Sequence, residues 1–254
     1  MFPSIHLFGI LTFSVQSLLQ ACGVLTALAV VERLALRQRL RPDHLWTAAV
    51  LLGISLFLGE RLILLLRSWH DFLAHPLWML GLLSVHDPRL FDAGVAIALA
   101  VGCLYLLARR IALSRAASVL TPAVLLLLAF VHAGYFAAGA QPGRITSHRW
   151  GLVSTNRFAL AAYGTPLHVP LIPVAAWACL GYTLIALFAV ALAARGRNAF
   201  AAPIFAAGLL TVLLGQLELH WTSQLLILGI FTWTQALAIA WTLLGAALLL
   251  RTSR

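Results

Sequence analysis

Residues 117–151 read ASVLTPAVLLLLAFVHAGYFAAGAQPGRITSHRWG, an apolar run that passes directly into Gly, Tyr, Gln, His and Arg. Up to Ala140 the run carries no Asp, Glu, Lys or Arg, over a length that crosses the roughly 30 Å hydrocarbon core of a bilayer as a helix. Lipid offers no water to free amides, so each backbone group must be satisfied within the fold. A helix does this inside one segment, and the run is too long and too little alternating for a barrel strand. The polar residues at its end put chemistry where a membrane helix meets its loop.

The rest of the chain has the same character. Of 254 residues, 62% are hydrophobic and only 9% charged, and the mean hydropathy is +0.98, which excludes an ordinary soluble domain. Seven spans are expected, at about 7–31, 45–66, 90–108, 117–140, 169–194, 198–219 and 224–250. The fold class is all-α, a polytopic integral membrane protein, and residues 1–254 read as a single transmembrane domain with no internal repeat and no low-complexity tract. Residues 68–89 interleave Trp69, His70, His75, Trp78 and His86 with apolar residues and suit an interfacial segment. Residues 141–168 carry Arg144, His148, Arg149, Trp150 and Arg157 and suit an outer cap. Elaborated loops on one face mark the side where function resides.

All 17 basic residues are Arg, and eleven fall in four groups, at 33–41, 109–115, 195–197 and 251–254. Under the seven-span reading these groups share one side, which the positive-inside rule makes cytoplasmic, with the N-terminus outside and the C-terminus inside. The net charge of +10 then reflects topology and anionic headgroups. Nucleic acid is a poor partner for Arg split into small membrane-flanking groups. Cys22, Cys103 and Cys179 lie within spans and form no CxxC pair, so neither a disulfide framework nor a thiolate metal site is indicated.

Several polar groups need an explanation. Arg61, in LFLGERLILLLR (residues 56–67), costs roughly 2.5 to 3.5 kcal/mol at a helix centre unless it snorkels or faces a polar partner. Glu60 is no partner for it, because successive helical residues point apart. His132 and Tyr135 share a helix face, and Gly134, Gly139 and Gly143 permit close approach of a neighbouring helix or of a lipid headgroup. Gln216 and His220 share a face at i and i+4, with Glu218 directed elsewhere, and either close a polar pocket or sit at the interface. His86, His132, His168 and His220 gather near one end without an HxxxH pair, so no metal and no cofactor is expected.

Taken in order, these residues resemble the prolipoprotein diacylglyceryl transferase family over almost the whole chain. Gly59-Glu60-Arg61-Leu62 stands where the family has G-A-R-L, and His86 where it has the His of S-F-H-G-G. Val131-His132-Ala133-Gly134-Tyr135-Phe136 stands against G-R-x-G-N-F, followed by Gly143-Arg144 for its G-R and Trp150-Gly151 for its W-G. His168 matches the His of R-H-P-x-Q-L-Y-E, and Gln235 the Gln of M-G-Q. There are departures: His132 and Tyr135 replace an Arg and an Asn, the following Glu falls at Ala140, the Tyr-Gly of the first span is Gln16-Ser17, and the Arg of span six falls at Thr211.

The resemblance implies transfer of the diacylglyceryl group from phosphatidylglycerol to the lipobox cysteine of a preprolipoprotein, in the bacterial cytoplasmic (inner) membrane. It implies catalytic roles for His86 and His132, and substrate binding by Arg61, Arg144, Gly134, Tyr135, His168 and Gln235. Because fold carries over more readily than activity, the alternative is a non-catalytic relative that binds phospholipid or scaffolds an envelope membrane complex.

Overall fold

The computed structural model describes residues 4–7, 11–74, 88–195, 200–218, 226–227 and 231–252. Long helices dominate: α1 (Val15–Arg37), α2 (Pro42–Arg67), α4 (Pro88–Ala108), α5 (Leu113–Ala138), α7 (Val174–Ala194), α8 (Ala201–Gly215) and α9 (Trp233–Thr252), with the short α3 (Trp69–Ala74) and α6 (Arg157–Tyr163) between them. Among the described residues, four helices, α1, α2, α5 and α7, are long and apolar enough to cross a membrane, and the stretches Ile97–Ala108, Ala201–Gly215 and Ala238–Ala247 are shorter and apolar.

The helix limits depart from the sequence expectation in three places. Before the first helix, β1 (Ser4–Leu7) pairs antiparallel with β2 (Leu11–Ser14), with Ser4 opposite Ser14. The first helix therefore starts at Val15 behind an extended Ser14 N-cap and runs on through Arg33 and Arg37, which are good helix formers whose heads can reach the interface. Helix α8 stops at Gly215, short of the expected 219. Helix α9 begins only at Trp233, after the two-residue strands β5 (Leu226–Ile227) and β6 (Phe231–Thr232). A last two-stranded pair, β3 (Leu152–Val153) with β4 (Pro170–Leu171), lies in the segment after α5.

Helix α5 sits at the centre, packed along α1 on one side and α7 on the other, while α2 pairs with α4 and α8 with α9. The seams use small side chains: Ala27, Ala35, Ala48, Ala116, Ala123 and Ala193 in one cluster, and Ala129, Ala178, Ala186 and Ala189 around Tyr182 in another. Leu25, Leu104, Leu184 and Leu187 are exposed instead. Small residues inside and large apolar ones outside is the pattern expected where lipid is the solvent and close helix contact supplies the packing energy.

The helix ends that carry Arg33–Arg41, Arg109–Arg115 and Arg195 lie together. Gln38 Nε2 donates to the Ala193 carbonyl at 3.1 Å, and His44 Nδ1 lies 3.3 Å from the Tyr105 hydroxyl, which joins the end of α1 to that of α7 and the start of α2 to the end of α4. Arg39 and Arg110 both sit in the left-handed region, at φ 55° and 54°. Around each, the backbone closes the preceding helix with paired turns: Leu40 N to Ala35 O and Ile111 N to Leu106 O, both 2.9 Å. This is the Schellman closure, with Arg in the position that usually holds Gly.

Candidate functional site

The opposite end of α5 carries the polar residues. Arg61 and His132 each lie 19 residues past the start of their helices, at Pro42 and Leu113, about 28 Å along the axis from the arginine end. Gly139, at φ 74°, terminates α5 with Ala140 N bonded to Tyr135 O at 2.9 Å. Gln141, also left-handed at φ 57°, follows, and its side chain meets His132: the two approach to 2.9 Å between Gln141 Oε1 and His132 Nδ1. The same amide donates from Nε2 to Glu218 Oε1 at 2.5 Å.

Glu218 arrives from beyond the end of α8, and backbone contacts fix it there. Gly143 and Glu218 form an antiparallel bridge, and Arg144 N donates to Leu217 O at 2.8 Å. On its other side Arg144 O accepts from Ile172 N at 3.0 Å. Only glycine fits at 143, because a Cβ there would collide with the Ile172 carbonyl and the Val174 side chain. Burial pushes the Glu218 carboxyl above its ordinary range, since the charged form loses hydration, and the Gln141 hydrogen bond pulls the other way.

The imidazole of His132 is held on two sides. It stacks on Tyr182 with ring centres 5.3 Å apart at 19°, and meets the edge of Tyr135 at 5.6 Å and 85°. Tyr182 is tied in turn, its hydroxyl 2.6 Å from Thr211 Oγ1. Because Thr211 donates its own proton to Ala207 O at 2.8 Å, Tyr182 is the donor of that pair.

Two residues on, across α5 from His132, Gly134 lets α1 approach: a Cβ at 134 would stand 3.2 Å from the backbone oxygen of Gln16. Gln16 Oε1 accepts from the Tyr163 hydroxyl at 3.1 Å, and Thr165 Oγ1 donates to Gly139 O at 2.7 Å. Phe136, Gln141, Ser154, Thr165 and Ile172 help to line a cavity of about 30 Å³, room for about one water.

The structure thus gathers His132, Tyr135 and the backbone of Arg144 around one network, while Gly134 faces Gln16 on the other side of α5. Gln235, 2% exposed, packs against Gly215 at the same end. Arg61 is 9% exposed on the α2–α4 pair, its guanidinium 4.4 Å over the Phe57 ring, a favourable cation–π placement. His168 is exposed in the loop before β4, at φ 58°, its amide bonded to Ser154 O at 3.0 Å. His86 and His220 lie outside the described residues.

Sequence reasoning missed Gln141, Glu218, Tyr182 and Thr211 as members of this network, and missed the separate Gln16–Tyr163 pair. For Glu218 the reason is specific. A helical wheel over 216–220 turns it away from its neighbours, but α8 has already ended at Gly215, so the 100° rule does not apply. The available signal was that Glu218 is the one acid between Ala199 and His220.

A model of the prolipoprotein diacylglyceryl transferase family matches residues 3–251, nearly the whole chain, and no curated protein matches it. The chain therefore belongs to the prolipoprotein diacylglyceryl transferase family, membrane enzymes that act on phospholipid and lipoprotein substrates, and its long apolar helices agree with that membership.

Proposed function

We propose that this protein transfers the diacylglyceryl group of phosphatidylglycerol to the lipobox cysteine thiol of a preprolipoprotein in the bacterial cytoplasmic membrane. In this reading the chain crosses seven times, the arginine-rich end faces the cytoplasm and the His132 cluster lies under the outer leaflet. Residues 68–89 lie at the interface and 141–168 cap the site. The observation that supports it best is the imidazole–amide–carboxylate cluster of His132, Gln141 and Glu218 at the end away from the arginine groups, in a chain of this family.

The reaction makes three demands: a thiol must lose its proton, a glyceryl carbon must be presented to the sulfur, and the departing phosphate must be stabilised in a water-poor site. Arg61 and Arg144 take the phosphate through fixed charge and paired donors. His86 and His132 handle protons. Gly134 and Tyr135 line the approach, and His168 and Gln235 contact the substrate. The full chain in phosphatidylglycerol nanodiscs, given a lipobox peptide, is expected to raise the peptide mass by one diacylglyceryl group.

A second reading, a relative that binds phospholipid or scaffolds a membrane complex without turnover, draws support from His132 and Tyr135 standing where the family pattern has Arg and Asn. It predicts lipid that copurifies with the protein, loss of that lipid on Arg61→Ala, and no change in peptide mass.

A further inference from the structure

The geometry points to Glu218 and Gln141 as positioning residues that hold His132 with its proton on Nδ1, so that the Nε2 lone pair takes the proton of the incoming thiol. The thiol step rests on the transferase reading above, whereas the proton placement rests on hydrogen-bond chemistry alone.

An ionised carboxylate only accepts hydrogen bonds, and a glutamine amide has one donating and one accepting end. With Glu218 Oε1 at 2.5 Å, Gln141 must turn its nitrogen toward the carboxylate and its oxygen toward His132. This assignment follows from the partners and not from the placement of look-alike amide atoms. The oxygen carries no hydrogen, so the 2.9 Å approach to His132 Nδ1 is a hydrogen bond only if Nδ1 is protonated. In a neutral imidazole the second nitrogen is then the basic one.

Each member of the chain is fixed by something outside it. The ring of His132 is held by the Tyr182 stack and the Tyr135 edge. Gln141 is set by its left-handed backbone just after the Gly139 helix end. Glu218 is set by the Gly143 bridge. Gln141 and Glu218 are 77 residues apart, so the arrangement is a product of tertiary structure and not of a local turn.

In the step itself, the Sγ–H proton moves to His132 Nε2. The thiolate attacks the glyceryl carbon that bears the phosphate ester, the C–S bond forms as the C–O bond breaks, and the electron pair leaves with glycerol phosphate. The proton on the imidazolium passes to that phosphate or to water, which resets the base. While the imidazolium exists, the Gln141 dipole and the Glu218 charge offset it, the role of the third member in a Ser–His–Asp triad.

The test is nitrogen NMR of the full chain, labelled at histidine and held in phosphatidylglycerol nanodiscs, with the His132 signals assigned by subtraction of a His132→Asn sample. The wild-type protein is expected to show protonated Nδ1. Glu218→Gln keeps the shape but lets position 218 donate as well as accept, so the Nδ1–H share should fall and kcat should drop roughly 10- to 100-fold, the scale of losses in outer-shell partners, with KM little changed. Glu218→Asp, which keeps an acceptor-only group, should restore part of both.

A wild-type ring protonated on Nε2, or a tautomer unmoved by both Glu218→Gln and Gln141→Ala, overturns the inference. If the wild type transfers no lipid but the tautomer shifts in Glu218→Gln, the lock stands and the transferase reading falls. If transfer proceeds and Glu218→Gln alters neither tautomer nor rate, the lock falls and the transferase reading stands.

Discussion

The two ends of the central helix α5 are built by different means. At the arginine end, α1 and α4 are closed by turns within five residues, Leu40 to Ala35 and Ile111 to Leu106, the seams between helices are filled by alanines, and two separate bonds, Gln38 to Ala193 and His44 to Tyr105, tie neighbouring helix ends. At the polar end, side-chain bonds run in series, His132 to Gln141 and Gln141 to Glu218 across 77 positions, beside the bonds of Thr165 to Gly139 and of Tyr163 to Gln16. Local closure depends on backbone geometry and tolerates side-chain change, whereas a network across several elements fails when any member is removed. The end proposed to carry chemistry is thus also the end whose side chains are most interlinked.

The sharpest way to break this contrast is to remove one imidazole from each end. His132→Ala should lower lipid transfer by roughly 10² to 10⁴-fold, the usual contribution of a positioned acid or base. His44→Ala, which removes the contact to Tyr105 at the arginine end, should leave transfer within about twofold, since it lies at the far end of the helices. Equal losses from the two variants, measured by peptide mass shift at matched protein amounts, would erase the distinction.

A glycine pair sharpens it next. At Gly143 a methyl group meets the Ile172 carbonyl, and Gly143 cannot back away from it without disturbing its own bridge to Glu218. Gly143→Ala should therefore cost stability in the upper part of the roughly 1–3 kcal/mol range for overpacking, read as a lower unfolding temperature in detergent. At Gly53, inside α2, nothing lies within 4 Å of the added carbon. Gly53→Ala should be neutral or stabilising by up to about 1 kcal/mol through helix propensity.

The same contrast explains what could be read from the chain before its fold was known. The helices were legible because their apolar runs are long and unbroken, and the alanine-rich arginine end follows from composition and charge. His132, Gly134 and Tyr135 stood out because a polar group in a membrane helix needs a reason. Gln141 and Glu218 did not, because no periodicity joins a loop glutamine to an acid beyond a helix whose end was placed four residues too late. The β1–β2 pair was hidden for another reason, its apolar residues reading as the start of a span.

Glu218 supplies a third test, in which stability and function oppose each other. Burial raises its carboxyl above the ordinary 4.5, so the folded protein keeps this proton to higher pH than the unfolded chain does. The associated stability is complete below about pH 4.5 and is lost as pH rises through the raised value. The unfolding temperature should fall across that rise, and Glu218→Gln should flatten the fall. The His132 tautomer, by contrast, is held only by the ionised carboxylate, so the network costs stability in the range where it sets the base, as active sites commonly do.

The smallest effect belongs to the arginine end. Arg39 occupies a left-handed conformation at φ 55°, which costs an L-residue roughly 1–2 kcal/mol. Glycine would relieve that strain but lose more freedom on folding, roughly 0.5–1 kcal/mol. The balance favours Arg39→Gly by up to about 1 kcal/mol, with transfer unchanged, since the Leu40–Ala35 turn is made by backbone alone. A clear loss of stability would mean that the Arg39 side chain makes a contact worth more than the strain. The closure of α1 would then depend on a side chain as the polar end does, and the difference between the two would be one of degree.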